Sequence, residues 1–284
     1  MNQIPRLVER SLFEKMDKIE EISSSDVIAI NGPINDELLD HVINLIEKKE
    51  VKKRTLAVLL TTNGGSAEVA ERIVFVFRRH YEEVNFYIPD HAYSAGTILS
   101  MSGDEIYMDY HSVLGPIDPQ VQNREGKFVP AMGYLDKVQE LISLARKGTI
   151  SEAEFLILKD FDLAELKAYE QARDLTIDLL KEWLVKYKFK NWIKRETSHK
   201  AVTEQDKIQR AEEIATKLSN NNQWHSHGRP LNIDRLKEIG LQIQDLEVIN
   251  NELHSAIRDF HNLMLEQMKA TNMFAQVLTK EVLQ

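Results

Sequence analysis

The stretch "TLAVLLTTNGGSAEVAERIVFVFRRH", residues 55 to 80, decides the fold. Its first half is a continuous apolar run, and its second half sets Val69, Ala70, Ile73, Val74 and Phe77 on one helical face. Gly64-Gly65 separates the two, so the segment reads as strand, tight turn and helix. An apolar run without alternation fits a strand covered on both faces, as in a parallel sheet under helices. Upstream, "DVIAINGPI" (26–34) and "NDELLDHVINLIEKKE" (35–50) repeat the unit, with Leu38, Leu39, Val42, Ile43 and Ile46 on one face. Downstream, the strand "NFYIP" (85–89) leads into "AYSAGTILSMSGDEIYMDYHSVLGPIDPQ" (92–120), a short helix followed by extended chain. Residues 28 to 117 are therefore expected to form an α/β core.

The pattern changes after "GPIDPQ". Residues 130 to 220 read as almost wholly helical, a second layer rich in Glu, Lys and Leu. Within it, "VKYKFKNWIKRETSHK" (185–200) reads as a solvated basic helix or loop, with a partner-contact arm as the alternative. "NNNQWHSHGRP" (220–230) reads as a loop, "NIDRLKEIGL" (232–241) as a short helix ended by Gly240, and residues 245 to about 279 as a long terminal helix. That helix lines up Leu253, Ile257, Phe260, Leu263 and Met264, a face for internal packing or for assembly. The first 24 residues read as a helical arm.

Composition narrows the function classes. The formal net charge of −9 repels phosphate backbones and anionic surfaces, so nucleic acid is not an expected partner. The absence of cysteine excludes disulfides, thiolate metal sites and a thiol nucleophile. No run approaches the roughly 18 apolar residues of a membrane span, and the N-terminus has no apolar signal region, so a soluble, cytoplasmic chain is expected. There is no P-loop, so energy-dependent unfolding of a substrate would need a separate partner protein.

In open parallel sheets, reactive groups gather where strands lead into helix N-termini. Two such junctions stand out. Gly64-Gly65 leaves backbone N–H groups unhindered, and Ser94 starts a helix with the N–H of Ala95 behind it. Together they could place an oxyanion hole beside a hydroxyl. Taken singly, each has a plainer explanation: a tight turn and a helix cap.

The ordered blocks "LLTTNGGSAEVAERI", "HAYSAGTILSMSGDEIYMDYHSVLGPIDPQV" and "WHSHGRPLNIDRLKEIGL" resemble the serine dehydrogenase proteinase family. Its wider Clp protease/crotonase group includes signal peptide peptidase A and NfeD-type proteases. The resemblance covers about residues 26 to 245. It implies a Clp/crotonase-like spiral of β-β-α units with a helical insertion at about 145–220, between an arm at 1–25 and a C-terminal helix at 246–284. It also implies Ser94 as nucleophile and oxyanion donors at Gly64, Gly65 and Ala95, with no cofactor. Assembly as a homo-oligomer on a protein or peptide substrate follows the same pattern.

A serine needs a base. Clp proteases use histidine and aspartate, whereas the other relatives resemble a Ser-Lys dyad. His111 falls before the expected position of a Clp-type histidine, near Ile117 and Asp118. Lys137, in "PAMGYLDKVQEL", lies where NfeD-type relatives carry their lysine, and desolvation would have to lower its pKa for it to serve. Lys127 and Lys147 are weaker alternatives. Asp118 could orient a polar partner or only form a turn. Asn63 stands where many relatives have proline, a replacement that tolerates turn geometry. His225 and His227 lack a third ligand nearby, so no metal site is expected; His227 or Arg229 could instead reach the active site. The expected activity is a serine endopeptidase with a Ser94–Lys137 dyad. The alternatives are a non-catalytic scaffold assembling through its terminal helices, or crotonase-like acyl-CoA chemistry.

Overall fold

The computed structural model describes residues 3–122, 126, 128–195 and 199–283. The strand of the opening stretch, β2 (Thr55–Thr61), lies between parallel neighbours β1 (Asp26–Asn31) and β3 (Glu83–Tyr87). β5 (Glu105–Met108) and the short β9 (Gln244–Asp245) continue the sheet in parallel beyond β3. Its other edge is β10 (Gln276–Thr279), antiparallel to β1. Register is continuous across the centre: Ile28 faces Val58, Val58 faces Phe86, and Phe86 faces Ile106.

The unbroken apolar runs follow from cores on both faces. Ile28, Ile30, Leu56, Val58, Leu60, Val84, Phe86 and Ile106 point into one core, and Val27, Ala29, Ala57, Leu59 and Tyr87 into the other. Side chains alternate across a strand, so a strand that feeds two cores must be apolar at every position. The first core is covered by α2 (Asp36–Lys48), α3 (Ala67–His80), α4 (Ala95–Ser100), α7 (Leu163–Trp183) with its π-helical continuation Leu184–Lys188, α8 (Glu204–Ser219) and α10 (Ile233–Glu238). The second is covered by α1 (Gln3–Ser23) and α12 (Asn251–Thr271).

Several expectations shift. α1 buries Leu12, Met16 and Ile19 in the second core, so the amino-terminal helix is part of the molecule's packing and not a free arm. The terminal helix stops at Asn272 in a left-handed conformation, and the chain then returns as β10 to the sheet edge instead of running as helix to about 279. α12 spends Leu253, Ile257, Phe260 and Met264 on that same core, so this apolar face is covered inside the chain. The basic stretch is anchored at Lys188, whose side chain is 2% exposed and pairs with Glu105 Oε2 at 2.5 Å. The "NNNQWHSHGRP" loop contains one short helical turn, α9 (Asn221–Trp224).

The helical second layer begins with α5 (Ala131–Arg146) and α6 (Glu152–Asp160) and runs through α7 and α8. α11 (Leu246–Ile249) and α13 (Lys280–Leu283) are single turns near the carboxyl end. Two small sheets complete the list of elements: β4 (His91–Ala92) with β6 (Val113–Leu114), and β7 (Gln120–Gln122) with β8 (Phe128–Pro130). The whole is a mixed α/β fold. Among the described residues, no helix is long and apolar enough to cross a membrane.

Candidate active site

Beyond the carboxyl end of β2, four stretches of backbone run side by side. Thr62 bridges Ala92, Ala92 pairs with Leu114, and Leu114 bridges Leu231, the last in the antiparallel sense. Every residue singled out from the sequence near this point lies a few positions beyond that level. Gly64 and Gly65 follow Thr62, Ser94 and Ala95 follow Ala92, Asp118 follows Leu114, and His227 precedes Leu231 on the reversed stretch.

The glycine turn is shaped by close approach. Gly64 has φ +106°, and a Cβ there would lie 2.9 Å from the Cβ of Ser94. Gly65 has φ +151°, and a Cβ there would lie 2.1 Å from the carbonyl oxygen of Ile34. Side chains are excluded at both positions by conformation and by space. The Gly64 N–H donates to Thr62 Oγ1 at 3.0 Å. Ile34 bridges Gly65 in the parallel sense: its N–H donates to Gly64 O (2.8 Å), and its carbonyl accepts from Ser66 N–H (2.9 Å). In such a bridge the central residue's own N–H points to the opposite side, so the Gly65 amide faces away from Ile34.

Ser94 sits at φ 53° and ψ −118°, between β4 and α4. Side-chain-bearing residues rarely adopt this conformation, which costs on the order of 1–3 kcal/mol and persists only where the surroundings impose it. Here Gly96 N–H donates to Tyr93 O (2.8 Å) and Ile98 N–H to Ser94 O (3.1 Å). Buried Thr97 donates from Oγ1 to Ala92 O (2.8 Å) and accepts from Gly115 N–H (3.0 Å), locking the turn to the neighbouring stretch. Ser94 occupies the cap position of α4, but its hydroxyl makes no capping hydrogen bond. The Ser94 hydroxyl thus stands at a sharp, strained strand-to-helix turn without a capping partner.

The remaining candidates divide. The side chain of Asp118 is fully buried, with Oδ1 3.0 Å from His227 Nδ1 and Oδ2 accepting from Gln120 Nε2 at 3.2 Å. The structure thus joins two residues that the sequence presented separately. Lys137 lies on α5, its side chain 48% exposed and its Nζ 3.0 Å from Glu140 Oε2. α5 itself is tied to the site segment, since Ala131 N–H donates to Pro119 O at 2.9 Å. His111 belongs elsewhere: it pairs with Asp109 Oδ1 at 2.5 Å, and Asp109 also binds His254 and Arg258 of α12. Lys147 follows the end of α5 and is exposed, and Lys127 lies outside the described residues. Among the described residues, no group of three or more His, Asp or Glu side chains is arranged so that it could hold a metal ion. Thr62 and Thr97, which hold the glycine turn and the serine turn, were not anticipated; nothing local in the sequence distinguishes them from ordinary strand and helix threonines.

Comparison with known proteins places these features. The model of the ClpP-like SDH-type serine proteinase family matches residues 34–205, a span that includes the glycine turn, Ser94, Asp118 and Lys137 and ends before His227. Two uncharacterised proteins of Methanocaldococcus jannaschii are similar. One is 31% identical over 66% of this chain and 51% of its own length, the other 26% identical over 68% and 54%. The chain spans about half the length of these relatives. Among solved structures, a lysine-to-alanine variant of a membrane-bound stomatin-specific protease, in complex with a substrate peptide, matches at 25% identity with TM-score 0.31, over 42% of this chain and 58% of that one. A serine-to-alanine variant of the same protease matches at 24% with TM-score 0.32, over 50% and 74%. Because the family model spans more than half of its residues, the chain belongs to the ClpP-like SDH-type serine proteinases.

Proposed function

We propose that this protein is a serine endopeptidase in which Ser94 attacks a peptide carbonyl and the N–H groups of Gly65 and Ala95 receive the developing oxyanion. The observation that carries the reading is the strained Ser94 turn, with its hydroxyl free of any cap bond and its Cβ packed against Gly64. Gly65 supports it, since its amide faces away from the Ile34 bridge; Gly64 is less suited as a donor because its N–H is held by Thr62. Preorganised amides of this kind stabilise charge as it forms, and one donor is typically worth 10²–10³ in rate.

For the proton of Ser94, the family resemblance implies Lys137. Its support is the anchoring of α5 on the Pro119 segment. A lysine accepts a proton near neutrality only when desolvated, and Lys137 is half exposed and ion-paired to Glu140. The dyad therefore requires α5 to carry Lys137 inward when substrate binds. A second acceptor is favoured by a specific observation, the contact between His227 and buried Asp118.

Wild-type protein should be labelled covalently by a serine-directed fluorophosphonate, and Ser94→Ala should not. Equal labelling of both removes Ser94 from the chemistry. Lys137→Ala should abolish labelling if the dyad operates, and retained labelling removes the lysine from it.

A further inference from the structure

We propose that α6 of one molecule docks in the cleft beside the basic stretch of a second copy, joining the protein head to tail. This contact does not depend on the chemistry of Ser94. α6 is a helix that enters no core: it has no buried residue, and Phe155, Leu156 and Ile157 are 53%, 59% and 52% exposed. Leu163, just beyond it, is 81% exposed. Successive residues are turned about 100° from one another around a helix, so three apolar residues in a row face too many directions for one packing on α5 to cover. The capping box of Ser151 and Glu154 fixes the start of the helix, yet nine residues are marginal as a helix in water without a packed face. Contiguous exposed apolar surface of this kind marks a contact with another molecule.

The charge around these side chains selects the partner. Residues 151–165 carry five carboxylates against a single cation, Lys159, so an anionic membrane or a nucleic acid repels this segment. The complement lies on the same chain. Residues 185–200 carry six lysines and arginines against one carboxylate. A cleft of about 580 Å³ opens beside them, lined by Phe189, Trp192 and Ile193 together with Lys194, Arg195 and Arg210. Its carboxylates are already matched: Glu105 by Lys188 at 2.5 Å, Asp206 by Arg195 at 2.5 Å and Glu213 by Arg210 at 3.4 Å. Exposed Lys194 adds a positive charge to these balanced pairs, and Ile193 beside it is 68% exposed. An apolar wall with surplus positive charge suits an apolar helix with surplus negative charge.

The two faces cannot meet within one molecule. α6 leads into the first turn of α7, whereas the cleft begins where the π-helical continuation of α7 ends, at Lys188 and Phe189. α7 is 21 residues long, which puts about 30 Å of helix between them. The contact is therefore heterologous: each molecule gives α6 to one neighbour and its cleft to another, and repetition closes a ring or continues as a chain. The cleft includes Glu105, the first residue of β5, so it lies at the amino end of the sheet, and docking there leaves the Ser94 end of the receiving molecule unoccupied.

The test is sedimentation of wild type, Leu156→Asp and Ile193→Asp over a concentration series, singly and mixed. Wild type should associate, and either substitution alone should raise the dissociation constant about 30-fold or more. Both positions are exposed, so neither change enters a core. An equal mixture should form a heterodimer that grows no further, since only the α6 of the Ile193→Asp chain and the cleft of the Leu156→Asp chain remain competent. A contact of α6 with α6, or of cleft with cleft, gives no such rescue. If circular dichroism shows either variant unfolded, Glu152→Lys and Lys194→Glu replace the pair, each weakening association alone and recovering it when mixed, because the reversed charges match. A wild type that stays monomeric throughout the series overturns the proposal. So does wild-type association by either folded variant, or a mixture of the two that stays apart.

Discussion

At the residue scale, the site depends on two backbone conformations that side chains resist. Gly65 is the more exacting, because its left-handed φ combines with the Ile34 carbonyl 2.1 Å from any added Cβ. Gly65→Ala should therefore lower stability by at least about 1–3 kcal/mol, the usual range for overpacking, and slow labelling of Ser94 because the turn must shift away from it. Urea denaturation with the midpoint compared to wild type measures the first effect. A stable variant with unchanged labelling would show that the turn does not shape the site. Ser94 is the counterpart: a non-glycine residue kept at φ 53° by the hydrogen bonds around it.

At the scale of elements, the serine turn must be held at a fixed distance from the stretch that carries Asp118, and Thr97 does this from the first turn of α4. Its hydroxyl joins Ala92 O to Gly115 N–H, linking the serine stretch to the one that leads to Asp118. Thr97→Val keeps the shape but strands both partners in a buried place, at a cost of about 1–3 kcal/mol. Labelling should slow beyond what the stability change explains, because Ser94 and Asp118 lose their common tie. A thermal melt paired with labelling rates separates the two effects; a stability loss without slower labelling would confine Thr97 to a structural role.

At the scale of the whole molecule, the joint between α12 and the sheet is sensitive to acid. Asp109, at the end of β5, binds His111, His254 and Arg258. Burial alone would raise its carboxyl, but hydrogen bonds from His254 and Ser112 hold it below the usual range. Nearby His261 is pushed down to about 4 by burial first, with Arg258, His111 and His91 adding to the effect and Asp90 opposing it. A histidine depressed in the folded state binds its proton more readily when unfolded. Its stabilising contribution is therefore complete above the ordinary value near 6.5 and is lost as pH falls from there toward about 4. The loss should reach about 3 kcal/mol at most. His261→Phe should flatten that limb in urea titrations across this pH range, and an unchanged slope would shift the acid sensitivity to the groups around Asp109.

The strands, the helices and the glycine and serine turns were legible from residue order because each is a local matter. Apolar residues at every position of "LAVLL" (56–60) require a doubly covered strand, and a paired glycine between strand and helix requires a tight turn. The end of α12 was not legible, since "NMFAQVLT" carries an apolar pattern that suits helix or strand, and only the open edge of β1 selects the strand. The contact of His227 with Asp118 was equally out of reach. The two residues are 109 positions apart, and nothing in either segment names the other. What joins them is the antiparallel bridge from Leu114 to Leu231, a tertiary register, and through it the fold settles which carboxylate meets which imidazole.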